Sequence, residues 1–199
     1  MLKTRIIPCL DVIEGKVVKG VNFKNIKVMG NAVEMAKKYS SSGADEICML
    51  DINASYQNRK TFVKTVNAIS KVINIPLTVG GGVSELSDIT NLLNAGADKV
   101  SINSAAVKNP KLIKQASLRH GSQCIVVAID GKRYQREMMV VIKGGREMTN
   151  KNLVSWAQKV QSLGAGEILL TSMDTDGVQG GFDISMLKKV TSNVNIPVI

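Results

Sequence analysis

Three observations predict an α/β fold, a (β/α)8 TIM barrel built from two half-barrel repeats. First, short apolar runs alternate with helix-length amphipathic segments along the 199 residues, the pattern of parallel strands joined by crossover helices. Second, three words recur in order about 120 residues apart. Gly43-Ala44-Asp45-Glu46-Ile47 returns as Gly164-Ala165-Gly166-Glu167-Ile168, and Asn74-Ile75-Pro76 returns as Asn195-Ile196-Pro197. Ile7-Pro8-Cys9-Leu10-Asp11 resembles Val126-Val127-Ala128-Ile129-Asp130. Third, a repeat of this length holds four strand–helix pairs, and doubling it gives the eight of a closed barrel.

The strands are expected at 5–11, 46–51, 76–80, 97–103, 123–130, 166–172 and from 196 to the end. They are nearly continuous in Val, Ile, Leu, Cys and Ala, as strands covered on both faces must be. Helices are expected at 31–42, 60–72, 84–95, 109–119, 151–163 and 183–190, and Gly43, Gly96, Gly121 and Gly164 mark their ends. The segment 14–31 is long for a strand–helix connection and reads as a lid carrying Lys16, Lys19, Lys24 and Lys27. Residues 131–149 hold an extra hairpin-like stretch turning at Gly144-Gly145. The first half-barrel spans about 1–120 and the second 121–199, within one barrel domain. The second repeat is expected to run to about residue 240, because such barrels take about 250 residues. The chain therefore ends inside strand seven, without helix seven, strand eight and helix eight, and a longer natural product is expected.

Composition narrows the function. Hydrophobic residues make up 44% of the chain, enough for one core. No run reaches the roughly 20 apolar residues of a membrane span, and the N-terminus meets Asp11 too soon for a signal peptide; a cytoplasmic protein is expected. The three cysteines lie in apolar runs without metal-ligand spacing and read as buried free thiols. The net charge is +10, but the lysines are scattered, and one Trp, three Tyr and three Phe offer little to stack on bases. Nucleic acid is set aside. An anionic small substrate or a solvated basic surface accounts for the charge.

Side chains alternate along a strand. With Asp11 and Asp130 inward, the top layer at the strand C-termini is polar: Asp11, Asn103, Asp130 and Thr171. The bottom layer holds Arg5, Glu46, Lys99 and Glu167, two cations and two anions, which survive burial only as pairs. Barrel enzymes work at the top face. Asp11 and Asp130 occupy equivalent repeat positions and are expected to face each other there, as an acid and base if their environments separate their pKa values, or as structural carboxylates. The single histidine, His120, sits before Gly121 at a helix end and reads as a cap. Gly80-Gly81-Gly82 after a strand and before Ser84 is a phosphate nest or a tight turn. Ser101-Ile102-Asn103-Ser104 adds donors beside it. Asp174-Thr175-Asp176-Gly177 lacks the later acidic ligands of a calcium loop, so metal is rejected; Gly177 offers its amide to a second anion. Lys19 reaches an anionic substrate or is a solvated loop lysine.

The words Ile7-Pro8-Cys9-Leu10-Asp11-Val12 and Gly15-Lys16-Val17-Val18-Lys19-Gly20-Val21-Asn22-Phe23 closely resemble the cyclase subunit family of imidazole glycerol phosphate synthase, in histidine biosynthesis. So do TVGGGV at 78–83, GADKVSINSAAV at 96–107, VVAID at 126–130 and GAGEILLTSMDTDG at 164–177. The resemblance implies an enzyme, without cofactor, that closes an imidazole ring on a bisphosphate aminoimidazole-carboxamide nucleotide using ammonia. It places Asp11 and Asp130 on the acid/base pair, and Gly82, Asn103 and Ser104 on one phosphate site. Asp176 and Gly177 fall near the other, and Lys19 in a mobile loop. Arg5, Glu46, Lys99 and Glu167 fall on a gate at the bottom face, where a glutaminase partner delivers ammonia. The sister isomerase of the same pathway, which shares the repeat and both aspartates, and an inactive fragment that only binds the glutaminase are the competing readings.

Overall fold

The computed structural model describes residues 4–21, 24–53, 60–178 and 180–199. They group into two compact units, one from 1–20 with 25–100, the other from 101–199 with 21–24.

In the first unit, β1 (Cys9–Ile13) alternates buried Leu10 and Val12 with more open Cys9, Asp11 and Ile13. The strand begins later than the sequence suggests. Pro8 has no N–H to give a ladder, although the Pro8 carbonyl still accepts from Cys48 and the Ile6 carbonyl from Asp45. Glu14 and Gly15 take left-handed φ of 48° and 76°, a two-residue turn suited to a hairpin. β2 (Lys16–Val21) then runs antiparallel to β1, with Asp11 opposite Val18, and β3 (Lys24–Asn31) lies beside β2. The segment expected to be a lid loop is therefore mostly strand.

α1 (Ala32–Ser41) follows, then β4 (Ile47–Asp51), parallel to β1 with Cys9 opposite Cys48 and Asp11 opposite Leu50. α2 (Lys60–Ser70), β5 (Leu77–Gly80, parallel to β4), α3 (Leu86–Asn94) and β6 (Lys99–Ile102) continue the alternation. The side chains turned toward the helices form the core: Val12, Ile47, Met49, Val79 and Val100 are wholly buried against Ala32, Ala36, Val66, Ile69 and Ile89.

In the second unit, α4 (Ser104–Lys108) precedes α5 (Lys111–His120), split from it at Asn109-Pro110, because a residue before proline avoids helical angles. His120 closes α5, and Gly121 leaves it at φ 88°. A 3-10 turn over Ser122–Cys124 leads into β7 (Ile125–Tyr134), longer than expected because its far half pairs antiparallel with β8 (Glu137–Ile142). β9 (Glu147–Asn152) returns along β8 after a turn at Lys143, Gly144 and Gly145, all at positive φ. α6 (Leu153–Ser162), β10 (Glu167–Ser172, parallel to β7) and α7 (Ile184–Thr191) complete the unit. The run from 196 does what a further strand would do. Val198 bridges Ile168 in parallel, and Ile168 and Leu170 donate to the Pro197 and Ile199 carbonyls.

The repeat extends into details. β1–β2–β3 and β7–β8–β9 are matching antiparallel extensions, and Asp130 faces Val141 as Asp11 faces Val18. Asn31 caps α1 by accepting from Val33 and Glu34, and Asn152 caps α6 by accepting from Val154 and Ser155. Both helices end on a left-handed glycine, Gly43 and Gly164, with Ala44 and Ala165 donating back to the Tyr39 and Val160 carbonyls. Asn31→Ala and Asn152→Ala are each expected to cost about 1 kcal/mol, read as matching shifts of the urea midpoint. Cys48 alone of the cysteines is buried; Cys9 is exposed and Cys124 half-buried. Among the described residues no helix is long and apolar enough to cross a membrane.

Candidate active site

The polar groups of the second unit converge where β7 leaves β10. Asp130 is in register with Thr171 on β10 and with Val141 on β8, so it sits at the fork of the sheet. Asn103, directly after β6, stands at the N-cap of α4, yet its amide does not cap. It donates from Nδ2 to Asp130 Oδ2 at 2.9 Å. Withdrawal from water pushes the Asp130 carboxyl up from 3.8 to about 6; the Asn103 hydrogen bond opposes this and the Asp176 charge adds to it. A carboxyl poised there exchanges protons near neutral pH. Ser104 Oγ accepts from the Lys143 amide at 3.0 Å, which ties the β8–β9 turn to the start of α4.

Asp176 and Gly177 lie in the turn after β10, where Asp176 N donates to the Ser172 carbonyl and Gly177 takes φ 73°. An ion cluster missed in the sequence holds this region. Arg133 on β7 grips Asp183 with both guanidinium nitrogens, at 2.6 and 2.7 Å, and its Nη1 also reaches Asp174 at 3.2 Å. Ser172 Oγ donates to Asp183 as well. Arg133 holds the Asp183 carboxyl well below the usual carboxylate range. Asp183 thus adds stability above its unfolded pKa and loses it as the pH falls through the depressed folded value. Arg133→Ala is expected to cost about 1–2 kcal/mol at pH 7, as half-exposed pairs do. The gap to the wild type should narrow in urea titrations at progressively lower pH.

In the first unit, Asp11 ends the same sheet position, half-buried between Leu50 and Val18. Lys19 is exposed on β2, and being next to Val18 it alternates onto the face opposite Asp11. The structure does not bring the two together. Gly81 and Gly82 take φ of 100° and 59°, and a Cβ on Gly81 would run into the Asp51 backbone. Close packing therefore requires Gly81. The amides of Ser84 and Glu85, at the start of α3, donate to Asp88 Oδ2 at 2.8 and 3.1 Å. That helix start already carries its own anion, Asp88.

The charged layer of the first unit is built around Glu46, which is 1% exposed. Its Oε2 meets Arg5 Nη1 and Lys99 Nζ, each at 2.9 Å. Its Oε1 accepts from Thr78 Oγ1 at 2.5 Å. Thr78 was hidden in the sequence because threonine in a strand reads as a β-former. Glu167 opens β10 opposite Val126, in the other unit.

Parallel strands joined by helices, polar groups at their C-terminal ends and a doubled repeat are the pattern of a (β/α)8 barrel. The chain belongs to the histidine biosynthesis protein family, which matches residues 5–199 and whose fold is the (β/α)8 barrel. It is 56% identical to imidazole glycerol phosphate synthase subunit HisF of Prochlorococcus marinus strain MIT 9515. The same subunit from strains MIT 9312 and MIT 9301 is 55% and 54% identical. Each alignment covers 100% of this chain and 79% of the relative.

Proposed function

We propose that this chain is the cyclase of histidine biosynthesis. It closes the imidazole ring of imidazole glycerol phosphate from a bisphosphate aminoimidazole-carboxamide nucleotide and ammonia. Likeness over the whole chain to a synthase subunit supports the reaction. The observation that carries the chemistry is the Asp130–Asn103 pair, with the Asp130 carboxyl raised to about 6. Ring closure needs a proton removed from the attacking nitrogen and one delivered to the departing group. Asp130 serves one transfer and its repeat equivalent Asp11 the other. Gly82, Asn103 and Ser104 contact one phosphate, with Gly81 in the same turn, and Asn103 also orients the Asp130 carboxyl. Asp176 and Gly177 lie near the second, and Thr171 and Lys19 are further substrate contacts. Arg5, Glu46, Lys99 and Glu167 form the gate through which ammonia enters at the bottom face, from a glutamine amidotransferase bound there as a heterodimer partner. The two half-barrels, about 1–120 and 121–199, form one domain of a cytoplasmic enzyme. The test supplies ammonium salt and the bisphosphate nucleotide, and compares the wild type with Asp11→Asn and Asp130→Asn. Loss of imidazole glycerol phosphate in both variants is expected; unchanged formation in both overturns the assignment.

A further inference from the structure

We propose that Cys9 and Cys48 are a modification site: a thiol pair that hydrogen peroxide converts to a reversible disulfide across β1 and β4. The two residues are direct register partners on adjacent parallel strands. Such partners lie about 4.8 Å apart, inside the roughly 4.4–6.8 Å Cα window that a disulfide spans. In-register partners share a face of the sheet, so the two thiols stand side by side on it. The third cysteine, Cys124, ends the 3-10 turn before β7 in the other unit.

Exposure divides the roles. Cys9 is open to solvent, whereas Cys48 is 2% exposed. The Cys9 contact and burial push the Cys48 thiol up, so Cys48 stays protonated and does not meet the oxidant first. In the first step the Cys9 thiolate attacks one peroxide oxygen. The O–O bond breaks, hydroxide leaves and takes up a proton as water, and Cys9 becomes a sulfenic acid. In the second step Cys48 sulfur attacks Cys9 sulfur. The S–O bond breaks, and the departing hydroxyl carries off the Cys48 proton as a second water. Two thiols lose two electrons, and peroxide is reduced to two waters. A dithiol reaches the exposed Cys9 sulfur and reduces the bridge by thiol–disulfide exchange, which makes the modification reversible. Its place in the fold gives it consequence. Cys9 shares the sheet face of Asp11, two residues on, and Cys48 that of Glu46, two residues back. The bridge would fix β1 to β4 between the proton-transfer layer and the charged layer.

The experiment treats the reduced, folded chain with hydrogen peroxide, denatures it in iodoacetamide and reads intact and peptide masses. The expected result is loss of two hydrogen atoms, one alkylated cysteine (Cys124), a single peptide joining the Cys9 and Cys48 segments, and full reversal by dithiothreitol. Cys48→Val should instead accumulate oxygen on Cys9 with no cross-link, and Cys9→Ser should leave Cys48 unoxidised. Two alkylatable thiols at Cys9 and Cys48 after treatment, oxygenated Cys9 without a bridge in the wild type, or a bridge to Cys124 would overturn the proposal. None of these readouts depends on the cyclase assignment.

Discussion

Asp130→Asn is expected to lower ammonia-dependent ring closure by about 10²–10⁴-fold and to make the protein more stable at pH 8. Both effects come from one cause. The fold lifts the Asp130 carboxyl from 3.8 to about 6, so the folded chain holds that proton more tightly than the unfolded chain does. The favourable contribution is complete below about pH 4 and is lost as the pH rises through 6. Above 6 the wild type carries an ionised group in a place that resists ionisation, at a cost of about 3 kcal/mol. Asparagine has the same shape and cannot ionise. Its amide oxygen still accepts from Asn103, so the hydrogen bond at 2.9 Å has a partner in the variant. Urea unfolding should give coincident curves near pH 4 and a variant more stable by about 3 kcal/mol at pH 8. The wild-type rate should break near pH 6. A variant that turns over normally, or is less stable at pH 8, would contradict the role of this carboxyl.

Much of this was legible from local pattern. Ile47 to Leu50 and Ile125 to Ile129 are near-continuous apolar runs, and short runs of that kind between helix-length segments are strands covered on both faces. The repeat set Asp11 and Asp130 at equivalent positions, and both occur at matching forks of the sheet. What escaped was non-local or disguised. Lys16-Val17-Val18-Lys19 reads as a charged loop, but Val17 and Val18 are both buried and the segment is a strand. The Glu14-Gly15 turn was its signal, a left-handed pair between two valine-rich runs. The Arg133 clamp joins residues 41 and 50 positions apart, and no spacing rule covers that. The cysteines were assigned by the run they sit in, but Cys9 faces the polar side of its strand and is exposed. Asn31 and Asn152 kept the repeat in their capping role, although the words around them had diverged.

Glu46→Gln is expected to cost about 3 kcal/mol or more, the largest single loss among these variants. Glu46 is buried, and one of its oxygens satisfies two cations. Glutamine preserves the volume and the Thr78 hydrogen bond but removes the charge that Arg5 and the 15%-exposed Lys99 both meet at Oε2. Arg5, at 36%, turns to water at less cost. Burial also sets the salt dependence. Screening acts on exposed charges, so the loss should persist in molar salt. Lys99→Met in the same background should recover part of it, because the two residues meet at 2.9 Å; that non-additivity marks a coupled pair. Thr78→Val alone should cost about 1.5 kcal/mol, since it removes one donor and leaves both cations in place. Turnover separates a packed salt bridge from a gate. In a packed plug, all catalytic effects follow stability and vanish at low temperature. In a gate, Glu46→Gln changes turnover fed by a glutaminase partner while turnover on free ammonium, measured well below the unfolding midpoint, stays as in the wild type.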